Sequence, residues 1–241
     1  RICFVNKVDR VGSNFAGTIE QIRDKLQANP VAVQLPMGAE DGFVGVIDLV
    51  TMKAVRYKDE TLGAESVIEE IPETYRVEAM AFREQLIEKV SEVNDDLLGK
   101  YLHGESIAPE EIRATLRRRV VASVRGEEAP FVPVLCGSAF KNKGVQPLID
   151  AVIDYLPSPG DVPPIAGVDP RHADETVVER RPDDGAPFSA LVFKIMTDPF
   201  VGRLTFIRVY SGMIESGSTI YNPVRNRSER IGRLLEMHAN K

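Results

Sequence analysis

Ile2-Cys3-Phe4-Val5 runs straight into Asn6-Lys7-Val8-Asp9 at the start of the chain. An apolar run closed by an Asn-Lys-x-Asp turn reads as a buried strand that delivers polar groups at its carboxyl end. In open α/β sheets ligands bind in the crevice there. The residue types suit a guanine. The Asp9 carboxylate can accept from the ring N1–H and the exocyclic amine, a pair that adenine does not supply. Lys7 can lay its aliphatic stem along the base while its charge stays in water, and Asn6 can bridge neighbouring loops. A site that hydrogen-bonds ligand N–H groups rejects analogues lacking them by ~10⁴-fold or more. Four residues alone are equally compatible with an ordinary turn after a strand.

A second stretch completes the pattern. Phe131-Val132-Pro133-Val134-Leu135-Cys136 reads as another short buried strand, and it ends in Gly137-Ser138-Ala139-Phe140-Lys141-Asn142-Lys143-Gly144. Strand, Gly-Ser-Ala, then an amphipathic helix is a way to offer a backbone N–H to the guanine O6, because small residues let the main chain approach closely. The two stretches, in this order at two strand ends, resemble the fourth and fifth guanine-recognition motifs of the GTPase family.

The resemblance narrows to translational GTPases and, within them, to the bacterial elongation factor G branch. It is carried by Phe4–Arg10, Cys136–Gln146, Asp154–Pro159, Pro199–Phe206 and Met237–Lys241, which span the chain from end to end. It implies GTP and GDP as ligands, with Asn6, Lys7, Asp9, Ser138, Ala139 and Phe140 at the guanine. It also implies a cytoplasmic protein of the ribosome that drives tRNA–mRNA translocation, monomeric when whole. Two rivals share the layout, the ribosome-release GTPase of termination and the tetracycline-protection GTPases, and a further reading makes the piece itself only a non-catalytic module that binds the ribosomal stalk. Many small GTPases place Lys after Ser-Ala, whereas Phe140 stands here, as elongation factor G permits.

The family is longer than 241 residues, so the chain reads as an internal piece. GTP hydrolysis needs a phosphate cradle, a Mg²⁺ ligand and a group that positions water. The Gly-x-x-x-x-Gly-Lys-Ser/Thr loop occurs nowhere in this sequence. In the family that loop, the switches and the water-orienting histidine precede the Asn-Lys-x-Asp motif, and none of His103, His172 and His238 stands in the catalytic histidine's motif. The expectation is a GTPase as the whole protein, with no catalytic residue and no metal site in this stretch. The Mg²⁺ site belongs to the missing part. Without its flanking strand, Ile2–Val5 would leave an apolar edge and a tendency to self-associate.

Composition agrees with a globular chain. With 43% hydrophobic residues it can bury a sizeable core. A net charge of −6 argues against coating nucleic acid by bulk charge. Cys3 and Cys136 both fall in expected buried strands and read as reduced core residues. No apolar run approaches the ~20 residues of a membrane span.

Along the chain, a short helix is expected with Ile19, Ile22 and Leu26 on one face, ended by Asn29-Pro30. Extended stretches at Val31–Leu35, Phe43–Val50 and Met52–Tyr57 read as a meander. A long helix is expected from about Pro72 to Leu98, with Met80, Leu86, Ile87, Val90, Val93 and Leu97 as its stripe. Pro109 opens another, with Glu110 and Glu111 in its first turn and Ile112, Leu116 and Val120 facing inward. Residues 30–129 thus form an α+β block where a minimal GTPase core needs one helix. Elongation factor G has such an insert, the G′ subdomain, which in the family docks the ribosomal stalk protein. Glu65, Glu69, Glu70 and Glu73, set against Arg113, Arg117, Arg118 and Arg119, are candidate docking faces or simply solvated ones.

Val145, Leu148, Ile149, Val152, Ile153 and Leu156 mark an amphipathic helix, stopped by Pro157-Ser158-Pro159. The segment to Pro187 is dense in proline, and His172 in it reads as exposed. Short strands follow at Phe188–Met196, Arg203–Tyr210, Thr219–Asn222 and Glu229–Met237, with the texture of a barrel or sandwich. They resemble the start of domain II of translational GTPases. Arg225, Arg227, Arg230 and Arg233 form the dense basic run, suited to ribosomal RNA phosphates or to plain solubility. The fold class expected is α/β, a partial P-loop GTPase-type sheet with an inserted α+β subdomain, followed by an incomplete β-barrel. Its domains are 1–157 (with 30–129 inserted), a Pro-rich linker at 158–186, and 187–241.

Overall fold

The computed structural model describes residues 1–92, 94–127, 130–169, 177–199 and 202–236. Val93, His172, Phe200, Val201 and the Met237–Lys241 run, which the sequence reading used, lie outside the described residues. The chain divides into two compact units, Arg1–Ser158 and Pro159–Lys241. A parallel sheet and several antiparallel ladders, with helices on the first unit, give the mixed α/β class expected.

In the first unit β1 (Cys3–Val5), β7 (Phe131–Cys136) and β2 (Asn29–Ala32) form a parallel sheet in the order β1-β7-β2. Every residue of β7 is buried, as a central parallel strand requires. Cys136 is buried and Cys3 half-buried; both are free, and burial pushes the Cys136 thiol upward. α1 (Phe15–Leu26) is capped by Asn14, whose side chain accepts from the Gly17 N–H at 2.8 Å. Ile19 and Ile22 are buried, but Leu26 is 65% exposed, because the helix is already turning out through Gln27 in the left-handed region. Asn29-Pro30, expected to end the helix, instead begins β2.

The stretch Val31–Leu35 is not one strand. Its first half belongs to β2. Its second half starts β3 (Gln34–Met37), which pairs onward with β4 (Gly45–Asp48), β5 (Lys53–Tyr57) and β6 (Ser66–Glu69) in an antiparallel sheet of order β3-β4-β5-β6. Val33 sits between the two sheets. Its N–H donates to the Val134 carbonyl at 3.0 Å and its own carbonyl accepts from the Leu49 N–H at 3.0 Å. β6 escaped the sequence reading because its residues are mostly exposed and its pattern is weak.

The long helix expected over Pro72–Leu98 is broken. α2 (Glu73–Ser91) ends before α3 (Asp95–Leu102), and the Asn94 side chain caps α3 by accepting from the Leu97 N–H. An Asn in mid-stripe competes for backbone N–H groups and starts a new helix. Leu86, Ile87, Val90 and Leu97 are buried as expected, but Met80 is 60% exposed on the outer face of α2. α4 (Pro109–Arg125) carries Ile112, Leu116 and Val120 at no exposure, and Glu111 accepts from the Ala108 N–H at 3.0 Å. In α5 (Val145–Tyr155) the inward residues are Ala151 and Tyr155, with Leu148 packed alongside. Ile149, Val152 and Ile153 of the expected stripe point outward.

Among its described residues the second unit holds three antiparallel ladders. β8 (Ile165–Val168) pairs with β9 (Val177–Arg180), a hairpin inside the segment read as a linker. Its proline density hid two four-residue strands. β10 (Ser189–Asp198) pairs with β11 (Gly202–Ser211), and β12 (Thr219–Asn222) with β13 (Arg227–Arg230). The last strand therefore lies earlier than Glu229–Met237, because the turn at Asn222–Asn226 sets its register. Among the described residues the ladders do not close into a barrel.

Candidate functional site

β1 and β7 are parallel neighbours with Val5 opposite Cys136. Their carboxyl ends therefore release Asn6–Asp9 and Gly137–Phe140 side by side. The Asn6 Oδ1 accepts from its neighbour Lys7 N–H at 2.8 Å and from the Ala139 N–H at 3.0 Å, so Asn6 does bridge the two loops. The Val8 N–H donates to the Gly137 carbonyl at 3.2 Å. Lys7 is exposed and holds φ at 62°. A non-glycine residue in that region costs roughly 1–3 kcal/mol, which persists where surrounding structure enforces it.

Asp9 is nearly buried. The Ser138 hydroxyl, and then the Lys141 ammonium, hold its carboxyl below the usual carboxylate range against the opposing pull of burial. Lys141 Nζ lies 3.2 Å from Asp9 Oδ2. Ser138 is itself 1% exposed, and its backbone exchanges hydrogen bonds with Lys143 at 2.9 and 3.0 Å, closing the loop on itself. Gly137 is needed for that closure, since a Cβ there would meet the Lys143 carbonyl oxygen at 2.3 Å. Phe140 is 94% exposed and packs on no sheet. The structure thus brings Asn6, Lys7, Asp9, Ser138, Ala139 and Phe140 into one place. Lys141, which sequence reading left out, joins them; its position two residues after Ser-Ala was the available signal.

The other candidate residues have these partners and exposures. The Glu65, Glu69, Glu70 and Glu73 carboxylates pair with Lys58, Arg56, Lys53 and Arg76 respectively. Arg119 is no surface charge. It is 7% exposed, its guanidinium lies 4.6 Å over the Phe131 ring, and it donates to the Lys89 carbonyl at 2.7 Å. Arg117 donates to the Leu156 carbonyl at 2.8 Å, at the end of α5. Arg225 and Arg227 share Glu229, at 3.7 and 3.2 Å, while Arg230 and Arg233 are exposed. His103 closes α3 through Nδ1 and the Gly99 carbonyl. Among the described residues no group of three or more His, Cys, Asp or Glu is placed to hold a metal ion, and no helix is long and apolar enough to cross a membrane.

Residues 1–158 match the family described as the elongation factor Tu GTP binding domain, and residues 187–241 match elongation factor G domain 2. A crystal structure of a protein from Thermus thermophilus is similar over 96% of this chain, with a TM-score of 0.69 and 27% sequence identity. The chain spans 30% of the length of that protein.

Proposed function

Because this chain belongs to the elongation factor Tu GTP-binding-domain family of translational GTPases, we propose that it is part of a ribosomal translocase of the elongation factor G kind. The observation that carries the reading is the pairing of β1 with β7, which sets an Asn-Lys-x-Asp turn against a Gly-Ser-Ala turn, in a chain whose later residues match elongation factor G domain 2. In this reading Asp9 accepts from the guanine N1–H and exocyclic amine, Lys7 lies along the base, and the Ser138–Phe140 turn faces O6. Lys141 gives up Asp9 when the base arrives. Residues from about 30 to 129 correspond to the inserted subdomain that meets the ribosomal stalk protein, 158–186 is the connecting segment, and 187–241 begins the domain that rests on ribosomal RNA. Arg225, Arg227, Arg230 and Arg233 are offered there to phosphates.

Chemistry at the γ-phosphate and its Mg²⁺ is assigned to the rest of the protein, and the 241 residues alone are proposed not to hydrolyse GTP. The test is a translocation assay on ribosomes with the full-length protein. Advance of the messenger by one codon, dependent on GTP and lost with Asp9→Asn but restored by xanthosine triphosphate, is the expected result. GTP turnover on ribosomes without advance would sink the translocase assignment and favour the termination or tetracycline-protection GTPases. Changing Arg225, Arg227 and Arg230 together to Glu should lower ribosome affinity and flatten its salt dependence.

A further inference from the structure

Both base-reading loops touch the antiparallel sheet that precedes α2. On the first loop, the Val8 carbonyl accepts from the Glu40 N–H at 2.9 Å, and the Gly12 N–H donates to the Glu40 carboxylate at 2.7 Å. Beneath them Val8 and Cys136 share a small buried cluster with Phe43, Val46 and Tyr57 of that sheet and its turns. On the second loop, Lys143 is 4% exposed. Its ammonium donates to the Phe43 carbonyl at 3.2 Å and pairs with Asp59 Oδ1 at 2.6 Å. Asp59 lies in the connection between β5 and β6. In the same connection Gly63, at φ +74°, lies so close to the loop that a Cβ would meet the Lys141 carbonyl oxygen at 2.4 Å.

Lys143 has two attachments at once. Its backbone closes the loop onto Ser138 and its side chain ties the loop to the antiparallel sheet. A buried ammonium is tolerated only while paired and hydrogen-bonded. Removing Asp59 therefore drives the side chain outward, and the backbone that holds Ser138 goes with it. We propose that Lys143, anchored by Asp59 and the Phe43 carbonyl, is a positioning residue that sets where the Ser138–Phe140 turn stands against guanine O6. This rests on the guanine reading above and adds that the antiparallel sheet, through its connecting turns, takes part in base selection.

The experiment compares three diphosphates in the full-length protein: GDP; its 2-aminopurine analogue, which lacks O6 and with it the N1–H that faces Asp9; and IDP, which keeps both and lacks only the exocyclic amine. The phosphates are common to all three, so ratios of affinity report the base alone. Asp59→Asn and Lys143→Met should each lower the preference for GDP over the 2-aminopurine nucleotide by about tenfold, the scale of one hydrogen bond. The preference for GDP over IDP, which reports Asp9, should hold. Lys143→Arg should restore the first ratio in part, and Gly63→Ala should lower it. Should Lys143→Met fail to fold, Asp59→Asn still decides, since that side chain is 79% exposed. Equal weakening of all three nucleotides, or wild-type ratios in Asp59→Asn, overturns the proposal and leaves Lys143 a stability residue. If Asp9→Asn leaves the GDP to IDP ratio untouched in the same protein, the guanine reading itself fails instead.

Discussion

Both units contain β-ladders, yet they bury their apolar residues very differently. In the first, Ile47, Leu49, Val90, Ile112, Leu116 and Val120 are all at zero exposure, and they join one continuous core with the helices. In the second, the buried side chains among the described residues are polar ones, Asp169 and Ser211. Leu191, Val192, Phe193 and Ile195 on β10 are all more than half exposed. The ring centroids of Phe193 and Phe206 lie 6.3 Å apart, but the two residues sit on paired strands of one ladder rather than across a core. A strand pattern specifies a ladder; a core needs a second layer facing it.

The largest test of that contrast is a pair of truncations. Leu116→Ala should lower the unfolding free energy of the first unit by about 2–5 kcal/mol, whereas Phe193→Ala should stay within about 0.5 kcal/mol, as surface changes do. Equal losses in denaturant titrations would dissolve the difference. Next comes the site that only the well-packed unit can hold rigid. Asp9→Asn in the full-length protein should weaken GDP by about 1.5–3 kcal/mol, the range for a hydrogen bond to a charged group, as read by calorimetry. Unchanged affinity would remove Asp9 from the site.

A smaller effect concerns pH. The Asp9 carboxyl titrates below its ordinary value, chiefly because of the Ser138 hydroxyl. Its contribution is therefore complete above the ordinary carboxylate value of about 3.9 and is lost as pH falls through the lowered one. Asp9→Asn should therefore lower the first unit's stability near neutrality, where that contribution is complete, and flatten the acid limb of its stability curve. The smallest change is expected on the open ladders. Arg227→Ala, which breaks an exposed pair with Glu229, should shift stability by no more than about 0.5 kcal/mol. A larger loss would mean that β12 and β13 carry more of their unit's stability than their exposure indicates.

Much of the candidate site was legible because its chemistry is local. Asn6, Lys7 and Asp9 follow one apolar strand, Ser138, Ala139 and Phe140 follow another, and parallel pairing brings them together. What stayed hidden is what depends on distant partners. Lys143 reads as one more loop lysine until Asp59 and Phe43 are seen against it. Arg119 reads as surface charge until Phe131 lies under it. In the fold, the stripe of α4 was readable because burial follows a fixed period, and so was that of α1 except at Leu26. The break at Asn94 was missed because one cap residue outweighed a continuous stripe, and β6 because an exposed strand has no alternation to show.

Val33 has a mechanical consequence. A hinge needs a residue free to change its backbone angles. Val33 is 2% exposed and spends its N–H on the parallel sheet and its carbonyl on the antiparallel one. Turning one sheet against the other there would break both bonds, so the joint is stiff. A load applied to the antiparallel sheet passes through Val33 to Val134 and so reaches Gly137 at the end of the same strand.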